Sequence, residues 1–279
     1  MRSFTAIRFE LPTERGLTRP FLVTGIDEEE NEVIIVVKPN EGYEQHGGLE
    51  YRNLEAFSLL LANALKLPAV EPVFVEIPEG LEFGALDFRA HTNNQGAVTN
   101  FVDLIEKSVG SNLGTVHLGT DWKQWNQATR PHKILKNRIN DAFCFDALVQ
   151  NDDRKGDNPN LLWKGDQLAL LDFDRAWGLI SDSDDPYPWR NALSLLTLSQ
   201  HVLRPHLRLP RSHSHPIQAP FQENLSEIDL PNLAASLFAE VEAGLPGSNL
   251  DFSCHLDYLT KLARIPDDLF AYLTQLLRR

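Results

Sequence analysis

An α+β fold in two lobes is predicted by three features of the 279-residue chain. The first stretch alternates strand-like segments with one helical segment, Pro78, Gly80 and Gly84 punctuate residues 78–90, and the remainder carries its apolar residues mainly at helical spacing. The expected division is a small β-rich lobe with one helix over residues 1–80 and a larger, mainly helical lobe over residues 81–279.

In the first lobe, Phe21–Gly25 and Val33–Val37 read as strands, and the acidic run Asp27–Glu30 between them reads as a solvated hairpin tip. The second strand is an unbroken β-branched run, a pattern expected of a strand covered on both faces. Lys38 ends it, and Pro39 removes the next ladder donor. Leu54, Phe57, Leu61 and Leu65 recur at helical spacing, so Arg52–Lys66 is predicted to be a helix that Pro68 stops. Val70–Ile77 follows as a further strand.

In the second lobe, Ile139, Phe143 and Ala147 give Arg138–Gln150 an apolar helical face. That helix runs into the polar stretch Asn151–Asn160. Leu161–Trp163 and Gln167–Leu171 then form a predicted β-hairpin around Lys164, Gly165 and Asp166, with Asp172 directly after it. From Pro231 to the end the pattern is helical, with Asp229 and Asp267 as candidate caps and Pro231 and Pro266 near helix starts.

Composition narrows the function classes. With 39 acidic residues against 26 Lys and Arg, the formal charge is −13, a field that opposes nucleic acid and favours divalent metal wherever phosphates must approach. No apolar run is long enough to span a membrane and the N-terminus has no secretory pattern, so the expected compartment is the cytoplasm. Cys144 and Cys254 make no disulfide framework and are expected to be buried thiols.

The candidate chemistry lies in Asn151–Asn160, which places three carboxylates and three amides in ten positions. A hairpin return brings Asp172 back beside this loop, and an acid at the end of an apolar strand needs a partner or a metal. Asp153, Asp172 and an asparagine at either Asn158 or Asn160 supply hard oxygen donors suited to magnesium held jointly with substrate phosphates. Phosphoryl transfer needs that set, with one carboxylate left to position the attacking hydroxyl. Lys38, at its strand end, is placed to reach the α and β phosphates of such a substrate. Glu55, on the same helical face as Leu59 and Ala62, needs a cation, for which Lys38 is the candidate.

Six segments in this order carry a family resemblance: GLTRPFLV (16–23), VVKP (36–39), LEAFSLLLANALKLPAVEPVFVEI (54–77), NDDRKGDNPNLLW (151–163), LALLDFD (168–174) and HVLRP (201–205). The chain resembles the HipA-like kinases, in particular their compact stand-alone branch, within the protein-kinase-like and phosphatidylinositol-kinase-like superfamily. The resemblance implies a two-lobed protein-kinase-like fold that uses ATP and Mg2+. It makes Asp153 the catalytic-loop aspartate, Lys38 the ATP-contacting lysine, Glu55 its ion-pair partner and Asp172 the metal-binding aspartate, with Asn158 or Asn160 as the second metal ligand. It also implies a Ser or Thr acceptor on a protein, and a growth-inhibiting toxin controlled by an antitoxin-like partner protein. Lys155 stands where many relatives have His, and Phe173-Asp174 where many have His-Gly. The turn Arg15, Gly16, Leu17, Thr18 is the candidate phosphate cover, through Gly16 and Thr18, although it lacks a glycine-rich repeat.

Two other readings compete. Leu168–Asp174 is an apolar strand ending in D-x-D, which in a haloacid-dehalogenase-type phosphotransferase would make Asp172 a nucleophile and Asp174 an acid. The alternative is a catalytically silent kinase fold acting as a binding module. The basic island Arg204, His206, Arg208, Arg211, His213 and His215, with its three prolines, reads as a surface loop, and Trp163, Trp177 and Trp189 as packing residues.

Overall fold

The computed structural model describes residues 1–13, 16–83, 90–92, 98–126, 128–131, 135–181, 198–207 and 220–278. Two compact units emerge: Met1–Ala56, Val70–Leu118 and Ala239–Leu250 form the first, and Phe57–Ala69, Gly119–Phe238 and Asp251–Arg279 the second. The protein is mixed α+β, β-rich toward its N-terminus and helical toward its C-terminus. No helix among the described residues is long and apolar enough to cross a membrane.

The first unit contains β1 (Arg2–Pro12), β2 (Phe21–Ile26), β3 (Glu32–Lys38), α1 (Asn40–His46), the start of α2 (Leu49–Ala64), β4 (Pro72–Ile77), β5 (Glu82–Phe83), β6 (Ala90–Thr92), β7 (Val98–Asn100), α3 (Phe101–Glu106) and β8 (Gly110–Val116). The large sheet runs β2–β3–β8–β4–β1–β5, and a further β1–β2 pairing closes five of these strands into a barrel. Closure depends on β1, which pairs parallel with β4 through Arg2–Thr5 and antiparallel with β2 through Thr5–Pro12. Register shifts between Ala6 and Arg8 and between Phe9 and Leu11 bend it from one neighbour to the other. Phe4, Ala6, Phe9, Phe21, Val23, Ile35, Val37, Val73, Val75 and Ile77 fill the core, with Phe9 and Phe21 rings 5.5 Å apart.

Two expectations for this region change. Strand β3 is not covered on both faces: Ile35 and Val37 are buried, but Ile34 is 39% exposed. A barrel wall has one packed face, and β-branched residues also suit the outer side of a pleated strand. Second, residues 1–80 hold two helices, because α1 begins directly after Pro39, whose carbonyl accepts from Gly42 N at 3.0 Å. The interior of α1 contains a glycine for a steric reason. A Cβ at Gly42 would sit 2.1 Å from the Thr18 carbonyl oxygen, so the β1–β2 turn rests directly on the helix.

The second unit contains the end of α2, β9 (Lys123–Gln124), α4 (Leu135–Leu148), β10 (Leu161–Lys164), β11 (Gln167–Leu170), α5 (Gly178–Ser181), a 3₁₀ turn (Arg204–His206), α6 (Phe221–Glu227), α8 (Ser253–Arg264) and α9 (Pro266–Leu277). Helix α7 (Leu230–Gly244) starts in this unit and ends in the first. Strands β10 and β11 pair from Leu161↔Leu170 to Lys164↔Gln167 around Gly165, whose φ is 59°, and β9 extends the sheet along β10. Trp177 is fully buried, its indole donating to Ser58 Oγ at 2.7 Å and its ring 5.4 Å from Phe57. Trp189 and Arg208, Arg211, His213 and His215 lie outside the described residues. Cys144 is buried but Cys254 is exposed, since only the other face of α8 packs inward. Asp229 caps α7 by accepting from Asn232 N at 3.3 Å. Asp267 instead sits in the first turn of α9, accepting from Gln222 Nε2 at 2.8 Å, because Pro266 already occupies the start.

Candidate active site

The polar loop of the second unit is placed by the way α4 ends. Gln150 adopts a left-handed conformation (φ 54°), and Asn151 N donates to Asp146 O at 2.9 Å, the six-to-one bond of a Schellman stop. Glycine usually occupies such a position. Here the Gln150 side chain donates to Ala147 O, Tyr258 donates to Leu148 O at 2.7 Å, and Trp177 N donates to Val149 O at 2.7 Å. These bonds satisfy carbonyls that a helix end would otherwise leave orphaned, and they fix where Asn151 begins the loop.

From there the loop is held by a buried ion pair that linear reading did not single out. Arg154 Nε donates to Asp146 Oδ2 at 2.5 Å and Nη2 to Asp146 Oδ1 at 3.2 Å, with both side chains fully buried. Asn151 Nδ2 (2.9 Å) and His201 Nε2 (2.9 Å) complete the carboxylate's shell. His201 Nδ1 accepts from Leu203 N at 3.1 Å, so the ring proton sits on Nε2 and points at Asp146. Burial pushes the Asp146 carboxyl up, but the charge of Arg154 and the bonds from His201 and Arg154 outweigh it and hold Asp146 ionised. Burial pushes His201 down, which keeps the imidazole neutral.

Through its other nitrogen, Arg154 Nη1 donates to Pro159 O (3.3 Å), Asn160 O and Leu171 O (3.4 Å), and the guanidinium lies 5.1 Å from the Phe173 ring centre. One cation therefore ties the end of α4 to the end of the loop and to the residue before Asp172.

The predicted loop residues meet on this frame. Asn158 Nδ2 and Asn160 Nδ2 (3.0 Å) both donate to Asp153 Oδ2, and Asp153 N donates to Asn151 Oδ1 at 3.2 Å. Asp153 is raised above the ordinary aspartate value, first by burial and then by the nearby negative charges of Asp172 and Asp152. Asn160 (φ 44°) and Asp172 (φ 61°) are both left-handed without being glycine, so two of the three candidate metal ligands occupy strained backbone and Asn158 does not. Asp153 with Asp172 forms a like-charged pair beside amide groups, a donor set that fits a hard divalent cation, which would remove the repulsion. Among the described residues no group of three or more His, Cys, Asp or Glu is placed to hold a metal, so the fit rests on carboxylate plus carboxamide oxygens.

The first unit holds the other predicted group. Lys38, at the end of β3, places Nζ 2.7 and 2.8 Å from the two oxygens of Glu55, which is buried on α2. Tyr43, from α1, donates to Glu55 Oε2 at 2.5 Å and was not anticipated, because α1 itself was not. In the β1–β2 turn, Gly16 has a φ of 123° and its carbonyl accepts from Arg19 N at 3.1 Å. Thr18 is only 4% exposed against α1, so any phosphate contact from this turn would fall to its backbone N–H groups; Arg15 lies outside the described residues.

The haloacid-dehalogenase-type alternative loses its structural basis. Its nucleophile sits at the end of a strand in an open parallel sheet, whereas β11 belongs to a small antiparallel sheet of β11, β10 and β9.

A loop and hairpin of this kind, in a mixed α+β chain, are what a phosphotransferase of the kinase class provides. The HipA-like kinase family model matches residues 7–185, well over half of the chain, and the protein belongs to that family. Among solved structures it is similar to the crystal structure of a Helicobacter pylori proinflammatory kinase, CtkA, at 13% identity and a TM-score of 0.42, covering 92% of this chain and 95% of that one. No curated protein matches.

Proposed function

We propose that the protein is an ATP- and magnesium-dependent kinase that phosphorylates Ser or Thr on a protein, its two units serving as the two lobes of a protein-kinase-like fold. The observation that carries this reading is the meeting of Asp153, two asparagine amides and Asp172 on a strained, internally buttressed loop, in a member of a kinase family. Asp153 accepts the hydrogen bond of the acceptor hydroxyl and orients it for in-line attack. Its raised pKa suits a group that takes up that proton. Asp172 holds magnesium together with a carboxamide oxygen. Asn158 and Asn160 both turn their nitrogens to Asp153, which leaves their Oδ1 atoms as hard donors, and both are assigned to this role. When bound, the metal neutralises charge on the phosphates. Lys38, oriented by Glu55 and Tyr43, contacts the α and β phosphates, and the Gly16–Thr18 turn covers them with backbone N–H groups.

The test is transfer from γ-labelled ATP with magnesium, using a cell lysate as acceptor and mapping the labelled residue. Asp153→Ala is expected to lower transfer by about 10²–10⁴-fold while thermal unfolding stays close to that of the parent. Undiminished transfer by purified Asp153→Ala protein refutes the role. Asn158→Ala and Asn160→Ala, assayed across a magnesium titration, separate the two amides. Nucleotide binding without any turnover in the parent chain would instead support the silent binding module. Family membership extends the reading to a growth-inhibiting toxin restrained by a partner protein, so expression of the parent but not of Asp153→Ala is expected to arrest growth of the host.

A further inference from the structure

We propose that a cavity beside the loop of the second unit docks a carboxylate-rich segment of the protein acceptor, a reading that rests on the kinase function above. The cavity measures about 620 Å3 and its lining includes Arg130, Gly156, Arg204, His206, Leu207 and Leu277. That volume suits several side chains rather than one ion. Among the described residues no acidic side chain lines it, although the chain carries 39 acids against 26 Lys and Arg. Arg130 and Arg204 are exposed; Arg130 donates to Ala128 O at 3.3 Å and Arg204 to Ser199 O at 3.4 Å, both backbone carbonyls. Burial and the charges of Arg130 and Lys136 hold His206 below its ordinary value, which shows that cations converge on this ring. Leu207 and Leu277 add apolar wall for the stems of Glu or neighbouring side chains.

The cavity is built in fixed register with the loop. His201 pairs with Lys155 in an antiparallel bridge and Val202 N donates to Arg154 O at 3.0 Å, so the segment that forms one wall is stitched to the residues directly after Asp153. His206 stands edge-on to the buried Trp125 ring at 5.4 Å, which orients its imidazole. Gly156 follows Asp153 by three positions and contributes to the lining, so the cavity edge is at most about 10 Å of backbone from the group proposed to orient the hydroxyl. An extended peptide covers that span in roughly three residues. An acceptor with Asp or Glu about three positions from its Ser or Thr would therefore place carboxylates on Arg130 and Arg204, whose forks bind carboxylates in two-point fashion. The overall negative charge does not forbid this, because at physiological salt it is screened beyond about 8 Å whereas contacts inside the cavity are not.

The experiment measures fluorescence anisotropy of labelled peptides that contain one Ser flanked by Glu or, in the control, by Lys, together with a labelled single-stranded oligonucleotide, on the full chain. The Glu peptide is expected to bind at least about tenfold more tightly than either control. Arg130→Glu with Arg204→Glu is expected to abolish that preference at an unchanged melting temperature, with the Arg→Gln pair as the substitute if the reversed charges unfold the chain. Equal binding of the peptides, tighter binding of the oligonucleotide, or a preference that survives both pairs overturns the proposal. A Glu peptide that binds but is never phosphorylated by the parent chain removes the kinase reading and leaves the docking site. Phosphorylation with no preference for acidic peptides does the reverse.

Discussion

The two halves of the predicted machinery solve opposite electrostatic problems. In the first unit the buried Glu55 is matched by one lysine and one tyrosine, so the group is compensated by the chain itself. In the second unit the charges are divided: Asp146 is matched by Arg154, His201 and Asn151, while Asp153 takes amide hydrogen bonds from Asn158 and Asn160 and feels the repulsion of Asp172 and Asp152 against the weaker attraction of Lys155. The compensated sets are positioning devices. The Asp153 end of the loop is where a divalent cation would be favoured, because burial and the negative charges of Asp172 and Asp152 raise Asp153 and a dication would offset them. A candidate ligand site is thus marked by like charges gathered next to a charge that is met by a direct, buried ion pair.

The comparison can be broken most severely at Arg154. Arg154→Met strands the Asp146 carboxylate in the interior and is expected to cost about 3–5 kcal/mol in urea unfolding. Asp146→Asn with Arg154→Met together should recover part of that loss; no recovery in the double variant would show that the pair is not the source of the cost.

Helix α4 offers a second contrast, since Asp141 is buried on it without a close guanidinium. It accepts from Phe221 N at 3.1 Å and meets Arg138 only at 4.0 Å, and burial raises it to about 6. With a folded value above the unfolded one, its neutral form favours folding fully below about pH 4, and that contribution is lost as pH rises through about 6. Asp141→Asn keeps the acceptor and removes the charge. It should stabilise the protein by up to about 3 kcal/mol at pH 8 and by almost nothing at pH 4, read from urea midpoints at the two values.

At the compensated site, Lys38→Met removes the ammonium partner of Glu55 and keeps the hydrogen bond from Tyr43. Phosphoryl transfer should fall by about 10²-fold, a larger effect than on thermal unfolding. The smallest expected effect is at Gly42→Ala, where the added methyl meets the Thr18 carbonyl. A cost of about 1–3 kcal/mol is expected from thermal melts, together with a higher KM for ATP if the displaced turn covers phosphates.

Much of the first unit was legible because β2, β3, α2 and β4 keep the period their structure needs. Strand β1 was not, and the register shows why: Phe4 and Ala6 point inward on even positions, the shift before Arg8 moves the inward set to odd ones, and Phe9 follows. A bulge erases the alternation on which strand reading depends. Strand β8, with Gly110 and Gly114, carries too little apolar pattern to announce itself, although a Cβ at Gly114 would come within 2.6 Å of Val75, so the barrel needs the glycine. In the site, Lys38, Glu55, Asp153, Asn158, Asn160 and Asp172 were named from residue chemistry and order. Asp146 and Arg154 were missed because a buried charge looks like a solvated one in a linear string, and Tyr43 and His201 because the carboxylate each one meets lies far away in the chain. Arg154 and His201 did lie inside the resembling segments NDDRKGDNPNLLW and HVLRP, which was the available signal.

By itself the sequence determined the α+β class, the hairpin after the polar loop and the residue types able to hold phosphate and metal, because periodicity and functional-group chemistry are local properties. Only the tertiary structure decided that β1 closes a barrel, that Gln150 turns left-handed to release the loop, and that Arg154 lies buried across Asp146, Asn160 and Leu171. Those outcomes depend on contacts between distant residues, where burial sets the cost of each charge and a partner from elsewhere in the chain sets whether it is met.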